Sequence, residues 1–482
     1  MKIRIFLPIL ICVSVAALSS CKKDEPASLS MLSSVVQVEA AGGRQDISFK
    51  TNQSWYVRKP EDWIAVLPPS GEASGSYQVI TVLVAENPSE TERSAELTVI
   101  AGEKSATVTV KQAGKPAAPP QPSMTISAFR NQKVDDTTWY ELTGVIASQP
   151  EEHYGNFFMT DDTGYIYVYG LCEKKVDRND QSFSKLGLKP GDKVTIMTLR
   201  SEYNDAPQAG GTVPAYFVSK QEGTYRFGQK YSSTTASWME LPATSATDGL
   251  DLLVHRFQDG KRSYAAYYDY DNLVSSWVAY PLHGGNIGTG KRMEESSFPM
   301  DPLLPRSRQA YLPRGYKEGN AGKFDRGHQI PSADRLDWRV NLETFFSTNM
   351  TPQDNGLNSN AWGLLEDKVR GWARRSDTLY VVTGCVTKGS DRYVLDADDK
   401  KVTVPTGYYK ALLRLSGGEY TGAAFWFDNV ENKASSIQKS MSMSIDELEE
   451  KVGVDFFVNL PDDQEKDVEA QDPSDVNWWW NN

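Results

Sequence analysis

Alternation of apolar and polar positions dominates the first half of the chain. Between about Ser28 and Gly114 it is clearest in Ala95-Glu96-Leu97-Thr98-Val99 and Ala106-Thr107-Val108-Thr109-Val110, which flank a short turn containing Gly102 and predict a hairpin. Several such strands in a segment of this size predict a small β-sandwich over residues 28–114. The run Lys115-Pro116-Ala117-Ala118-Pro119-Pro120-Gln121-Pro122 predicts an extended linker over 115–122. From 123 to 225 the chain reads as β again: Tyr140 to Ile146, then Asn156 to Thr160 turning through Asp161-Asp162-Thr163-Gly164 into Tyr165-Ile166-Tyr167-Val168-Tyr169, and Lys193 to Ile196 after a Pro-Gly turn. Period-2 spacing puts Tyr165, Tyr167 and Tyr169 on one sheet face, either to stack single-stranded bases or, the favoured reading, to fill the barrel or pack on a neighbour.

The pattern changes beyond about residue 231. Strand-like runs at 264–270, 276–281, 378–386, 409–415 and 421–427 are interleaved with helical spacing, which predicts a mixed α/β domain over 231–482. Trp362, Leu365, Val369 and Trp372 recur at helical intervals and predict an amphipathic helix from Ser359 to Arg375 with Asn358 at or near its N-cap. Ser444-Ile445-Asp446-Glu447 is a capping box opening a later helix. The terminal Trp478-Trp479-Trp480 is expected to dock back onto its own domain.

At 482 residues the chain is long enough for three domains. A hydrophobic share of 39%, with no long apolar run after the first twenty residues, excludes a multi-span membrane protein and a largely disordered one. Lys2 and Arg4 precede an apolar stretch from Ile5 to Leu18, the form of a secretory signal over residues 1–21. Its end, Leu18-Ser19-Ser20-Cys21, resembles a bacterial lipobox, which implies acylation of Cys21, export and an outer-membrane lipoprotein open to the cell surface. The alternative is a plain signal peptide cut near Ser20. Cys172 and Cys385 lie in different predicted domains, with no CxxC or zinc spacing, and read as buried thiols.

The net charge of −12 is at odds with a polyanionic partner until it is located. Asp446 to Asp475 holds 12 acidic residues against 2 basic ones, whereas Lys291 to Arg375 holds 14 basic against 11 acidic. The latter segment is the one able to meet phosphate.

That basic segment contains Lys323-Phe324-Asp325-Arg326-Gly327-His328-Gln329-Ile330-Pro331-Ser332-Ala333-Asp334-Arg335 and, downstream, Asn349-Met350-Thr351-Pro352-Gln353, Asn358, Trp362, Leu365-Glu366 and Arg370. The two blocks, in order and spacing, resemble the DNA/RNA non-specific endonuclease family, whose active site is a ββα-metal motif. The first β segment, with Trp55, Trp63-Ile64, Gly71, Asn87, Arg93 and Val110-Lys111-Gln112-Ala113-Gly114, resembles the Ig-like BACON modules. Some of those are associated with glycan binding, and a plain spacer is the alternative. The order of strands over 123–225 resembles an OB-fold module.

The nuclease resemblance implies that His328 is the general base, suited to neutral pH by an imidazole pKa near 6.5. It further implies that Asn358 ligates Mg²⁺, with Mn²⁺ as an alternative, that Glu366 reaches the ion through a water, and that Arg292 faces the scissile phosphate. Eight helical residues separate Asn358 from Glu366, roughly 12 Å along the axis, so both can hardly touch one small ion. Arg370, one turn on, could pair with Glu366 or phosphate. Arg326 and Asn349 are supporting catalytic and substrate-binding positions. His153, His255 and His283 have no such context. The resulting expectation is a tethered, metal-dependent endonuclease that cuts DNA and RNA with little sequence preference and leaves 5′-phosphate and 3′-hydroxyl ends. The rivals are a non-catalytic surface lipoprotein that binds nucleic acid or glycan, and a nuclease selective for sequence or strand form.

Overall fold

A computed structural model describes residues 26–58, 61–115, 123–234, 236–294 and 297–480. The signal segment, Cys21 and linker residues 116–122 lie outside the described residues. The chain divides into two compact units, residues 1–120 and 121–482.

In the first unit the predicted hairpin forms between Arg93–Ala101 and Lys104–Gln112, with Ala95 opposite Val110 and Val99 opposite Ala106. Gly102 turns it at φ +57°, a left-handed conformation that glycine adopts without steric cost. Those strands belong to a five-stranded sheet with Val35–Val38, Trp55–Arg58 and Ser70–Gly71. A four-stranded sheet is built from Leu29–Met31, Gly43–Thr51, Ser74–Val84 and Ile64–Leu67. Alternation sends Ile47, Phe49, Val82, Leu97 and Val108 into one buried cluster. Residues singled out in the sequence are structural here. Arg93 lies over the Trp63 ring at 4.3 Å, and Asn87 donates to the carbonyls of Thr91 and Ala113 at 2.9 and 3.1 Å.

The second unit begins with five strands closed into a barrel in the order Asp135–Ile146, Phe157–Thr160, Tyr165–Cys172, Ala206–Gln221, Lys193–Tyr203. Tyr165 and Tyr167 are buried, in one apolar cluster with Phe158 and the sheet residues Tyr264 and Val278. Only Tyr169 of the three tyrosines is exposed, at 42%. Barrel and mixed α/β segment are thus packed together, joined further by Arg306 to Glu151 at 2.7 Å and by the Gln149 amide donating to Met300 at 3.1 Å.

Beyond the barrel, eight strands form one antiparallel sheet: Gly228–Tyr231, Asp251–Arg256, Arg262–Asp269, Val274–Leu282, Thr378–Val386, Gly407–Ser416, Glu419–Asp428 and Ser442–Met443. Both faces are covered. Tyr408 and Leu412 lie in the cluster with Leu365, Val369 and Trp372 of the helix Gly363–Ala373. Their neighbours Tyr409, Ala411 and Leu413 lie in the other, with Ile445, Leu448 and Val468.

The capping box opens the helix Ile445–Val452: Ser444 Oγ accepts from the Glu447 amide at 3.1 Å, and the Glu447 carboxylate accepts from the Ser444 amide at 2.9 Å. Trp479 docks as expected, buried edge-on to Trp372 at 4.9 Å, while Trp372 Nε1 donates to its carbonyl at 2.9 Å. Cys172 and Cys385 are buried free thiols.

Candidate active site

Two short strands and a helix carry the residues of interest. Asp325–His328 pairs antiparallel with Met350–Gln353, placing Gly327 opposite Thr351 and His328 opposite Met350. Position 327 has no room for a side chain, because a Cβ there would lie 2.4 Å from Gln353 Oε1. The chain then enters a wide-turn π segment, Leu357–Trp362, which continues into Gly363–Ala373. Such segments are rare and frequently mark functional sites.

Asp354, not Asn358, closes the start of this helix. Its Oδ1 accepts from the amides of Gly356 and Leu357 at 2.8 and 3.2 Å. The expected capping role for Asn358 is therefore corrected: the helix begins earlier than its apolar spacing predicts, leaving Asn358 inside the first turn. There Asn358 Nδ2 donates to Asp325 Oδ2 at 3.0 Å, and Asn355 Nδ2 donates to the same oxygen at 2.9 Å. With its NH₂ group held by a carboxylate, the Asn358 side chain keeps its oxygen as an acceptor for an external group. Asp325 is a positioning residue that sequence reasoning passed over, although it is the first residue of the motif.

His328 stands edge-on to two aromatic rings, Phe298 at 5.8 Å and Phe345 at 5.0 Å. Each ring also carries a guanidinium: Arg326 lies 3.5 Å from the Phe298 centroid, and Arg292 lies 4.7 Å from that of Phe345. Burial, then the charges of Arg292 and Arg326, hold the imidazole well below its ordinary value. The imidazole is therefore neutral near pH 7, and its Nε2 is buried without a hydrogen-bond partner. Arg326 also donates to the Leu312 carbonyl at 3.0 Å, and burial brings its own pKa down to about 10.

Glu366 lies further along the same helix, eight residues after Asn358. Burial pushes its carboxyl up to about 7, opposed by Lys410 and Arg370. Arg292 also bears electrostatically on both Glu366 and His328. Arg370 does not pair with Glu366. Its Nη1 donates to the buried Asp334 at 3.0 Å and its Nη2 to Asp367, so little of it is left for phosphate. Asp334 in turn accepts from the Tyr280 hydroxyl at 2.8 Å.

Asn349 is a correction too. It is fully buried, accepts from the Ile330 amide at 3.0 Å, and donates to the carbonyls of Ile330 and Thr344 at 3.0 and 2.7 Å. With donors and acceptor all engaged, it clamps the chain just after His328 and has nothing to offer a substrate. Lys410, unremarked in the sequence, is fully buried on the strand Gly407–Ser416 of the large sheet. It donates to Thr383 Oγ1 at 3.1 Å, lies 4.5 Å from the Trp362 ring, and is brought down to about 8 by burial. Its alternating position in a strand gave no sign that its side chain reaches the Glu366 side.

Asp325 thus links the Asn358 amide to the strand of Arg326 and His328, and Arg292 is coupled electrostatically to both the imidazole and the Glu366 carboxyl. Residues 244–463 match the family described as DNA/RNA non-specific endonuclease, and residues 53–113 match the BACON family, described as a putative N-terminal binding domain. A protein named Nuclease from Nostoc sp. is 31% identical over 220 residues, covering 44% of this chain and 77% of the relative. Another of that name from Serratia marcescens is 31% identical over 204 residues, covering 41% and 73%. A crystal structure of an EndoG/EndoGI complex is similar at 23% identity and a TM-score of 0.36, covering 44% of this chain and 88% of that one. With such identity over more than two thirds of both nucleases, the chain belongs to the DNA/RNA non-specific endonuclease family.

Proposed function

We propose that this chain is a divalent-metal-dependent endonuclease that hydrolyses DNA and RNA with little sequence preference, exported and tethered through a lipid on Cys21. The observation that carries the catalytic reading is the buried, partnerless Nε2 of His328, kept neutral between two guanidinium groups. A neutral imidazole at that position takes the proton of the attacking water. Arg292 and Arg326 hold the phosphate and offset charge as it builds on the phosphoryl oxygens.

Asn358, oriented by Asp325, would hold a Mg²⁺ ion directly, with Glu366 on its water shell. The oxygen-only donor set fits a hard cation. When bound, such an ion stabilises the charged phosphorane and the departing 3′ oxygen, giving 5′-phosphate and 3′-hydroxyl ends. Contacts confined to phosphate position the substrate without reading its sequence. The N-terminal unit is a spacer or glycan-binding module, and the barrel an OB-like support whose Tyr165 and Tyr167 are spent on packing.

Digestion of plasmid and of RNA by the mature protein, wild type beside His328→Ala and with and without EDTA, tests the reading. Cleavage by wild type in Mg²⁺ or Mn²⁺, lost in EDTA and in His328→Ala, is expected. Intact plasmid in Mg²⁺ would leave only a nucleic-acid or glycan binder, and an undiminished variant would remove His328 as the base. Tethering is checked separately by Cys21→Ser, which should move the protein from the membrane to the soluble fraction.

A further inference from the structure

The acidic balance of the C-terminal segment is concentrated on two helices, Ile445–Val452 and Asp462–Glu469, both packed on the sheet face away from the nuclease site. Carboxylate oxygens of Asp446, Glu449 and Glu469 all lie within 4.8 Å of one another. Asp446 is exposed, but Glu469 is only 5% exposed, and its Oε1 is buried with no hydrogen-bond partner. Asp455 and Glu465 add further negative charge beside them. Among the described residues no lysine or arginine is ion-paired to any of the three, and the nearby Lys451 lies over the Trp426 ring at 4.7 Å.

A buried carboxylate is normally paired or coordinated, because desolvation without compensation is costly. Here burial and the acidic groups around Glu469 push its carboxyl up to about 9, so a cation there would displace a proton. Oxygen ligands of one calcium ion sit 2.3–2.6 Å from it and hence at most roughly 5 Å apart, which the spacing satisfies. The donors are all hard oxygen, with no nitrogen or sulfur to favour zinc or copper. Exposure of Asp446 leaves room for the waters that complete a six- to eight-oxygen shell.

We propose that Asp446, Glu449 and Glu469 form a second cation site, specific for a calcium-class ion, that ties the helix Ile445–Val452 to the helix Asp462–Glu469. It is separate from the metal of the nuclease centre and does not depend on the catalytic reading.

The test is thermal unfolding and calorimetric titration of the full chain with CaCl₂ alone, for wild type, Asn358→Ala, Glu469→Gln and Asp446→Asn. A site with a dissociation constant near 0.1–1 mM should raise the midpoint of the unit 121–482 by about 1.5–3 °C at 5 mM in wild type and Asn358→Ala. In Glu469→Gln and Asp446→Asn the rise should shrink below about 1 °C, with the binding heat lost. Asp446 is exposed, so its variant remains informative if Glu469→Gln folds poorly. An absent shift in wild type, an equal shift in Asp446→Asn, or a shift abolished by Asn358→Ala would each overturn the proposal.

Discussion

Asp325 Oδ2 accepts the side-chain amide of Asn358 at 3.0 Å, joining the strand that ends in His328 to the first turn of the helix that bears Glu366. The contact fixes which end of the Asn358 side chain remains available. Replacing Asp325 with alanine frees that amide to rotate, and activity at limiting Mg²⁺ should fall about 10- to 100-fold with partial recovery at high Mg²⁺. A metal titration of initial rates on plasmid checks this, and an unchanged half-saturating concentration would count against it.

His328 owes its low proton affinity first to burial, then to Arg292 and Arg326. Since a base must be neutral, protonation of His328 should set no limit on activity until the pH drops through its depressed value. Arg326→Ala removes one positive neighbour, so the acidic limb of kcat/KM should move to higher pH, while overall activity also drops. A pH–rate profile measured at saturating metal reads both effects. His328→Ala should lose about 10²- to 10⁴-fold in kcat with the unfolding midpoint nearly unchanged.

The Asp334 and Arg370 side chains are 1% and 11% exposed and 3.0 Å apart. Removing Asp334 leaves Arg370 only its solvent-facing contact with Asp367 and the buried Tyr280 hydroxyl without its acceptor, so Asp334→Ala should lose about 3 kcal/mol of stability. Urea unfolding followed by fluorescence measures it. Asp334→Asn keeps the size and a hydrogen bond to Tyr280, and should cost less.

Glu343 is buried, accepts the Tyr225 hydroxyl at 3.1 Å, and leaves its other oxygen without a partner. Burial raises its carboxyl well above 4.5. A raised acid contributes stability that is complete below its unfolded pKa and lost as pH rises through the folded one, because folding there requires a proton. Wild type should therefore weaken relative to Glu343→Gln between about pH 5 and pH 8. Thermal midpoints across that range decide it, and parallel curves for the two proteins would refute it.

Much of this was legible in the sequence because it is local. The hairpin around Gly102, the capping box at Ser444 and the two motif blocks each carry their information within a few neighbouring residues. The strand Asp251–Arg256 was not, since Leu252, Leu253, Val254 and His255 are all buried and show no alternation between two covered faces. Asp334 and Arg370 stand 36 positions apart, and only the folded chain brings them together. Asn358 and Asp354 are both good capping types, so the choice between them rested on where the helix begins, which apolar spacing locates only to within a turn. Lys410 occupies an ordinary strand position, and its burial depends on the helix laid across that sheet face.

The apolar cluster shared by Phe158, Tyr165 and Tyr167 with the large sheet sets a limit on how this enzyme can be trimmed. A shortened version cut at residues 244 and 463, the borders of the family match, would strip away the barrel, the edge strand Gly228–Tyr231 and the Trp479 plug. It would bare a greasy surface on each side. A piece from the end of the proline-rich linker through the tryptophan triplet keeps both surfaces covered, so the barrel is part of the foundations on which this sheet is packed.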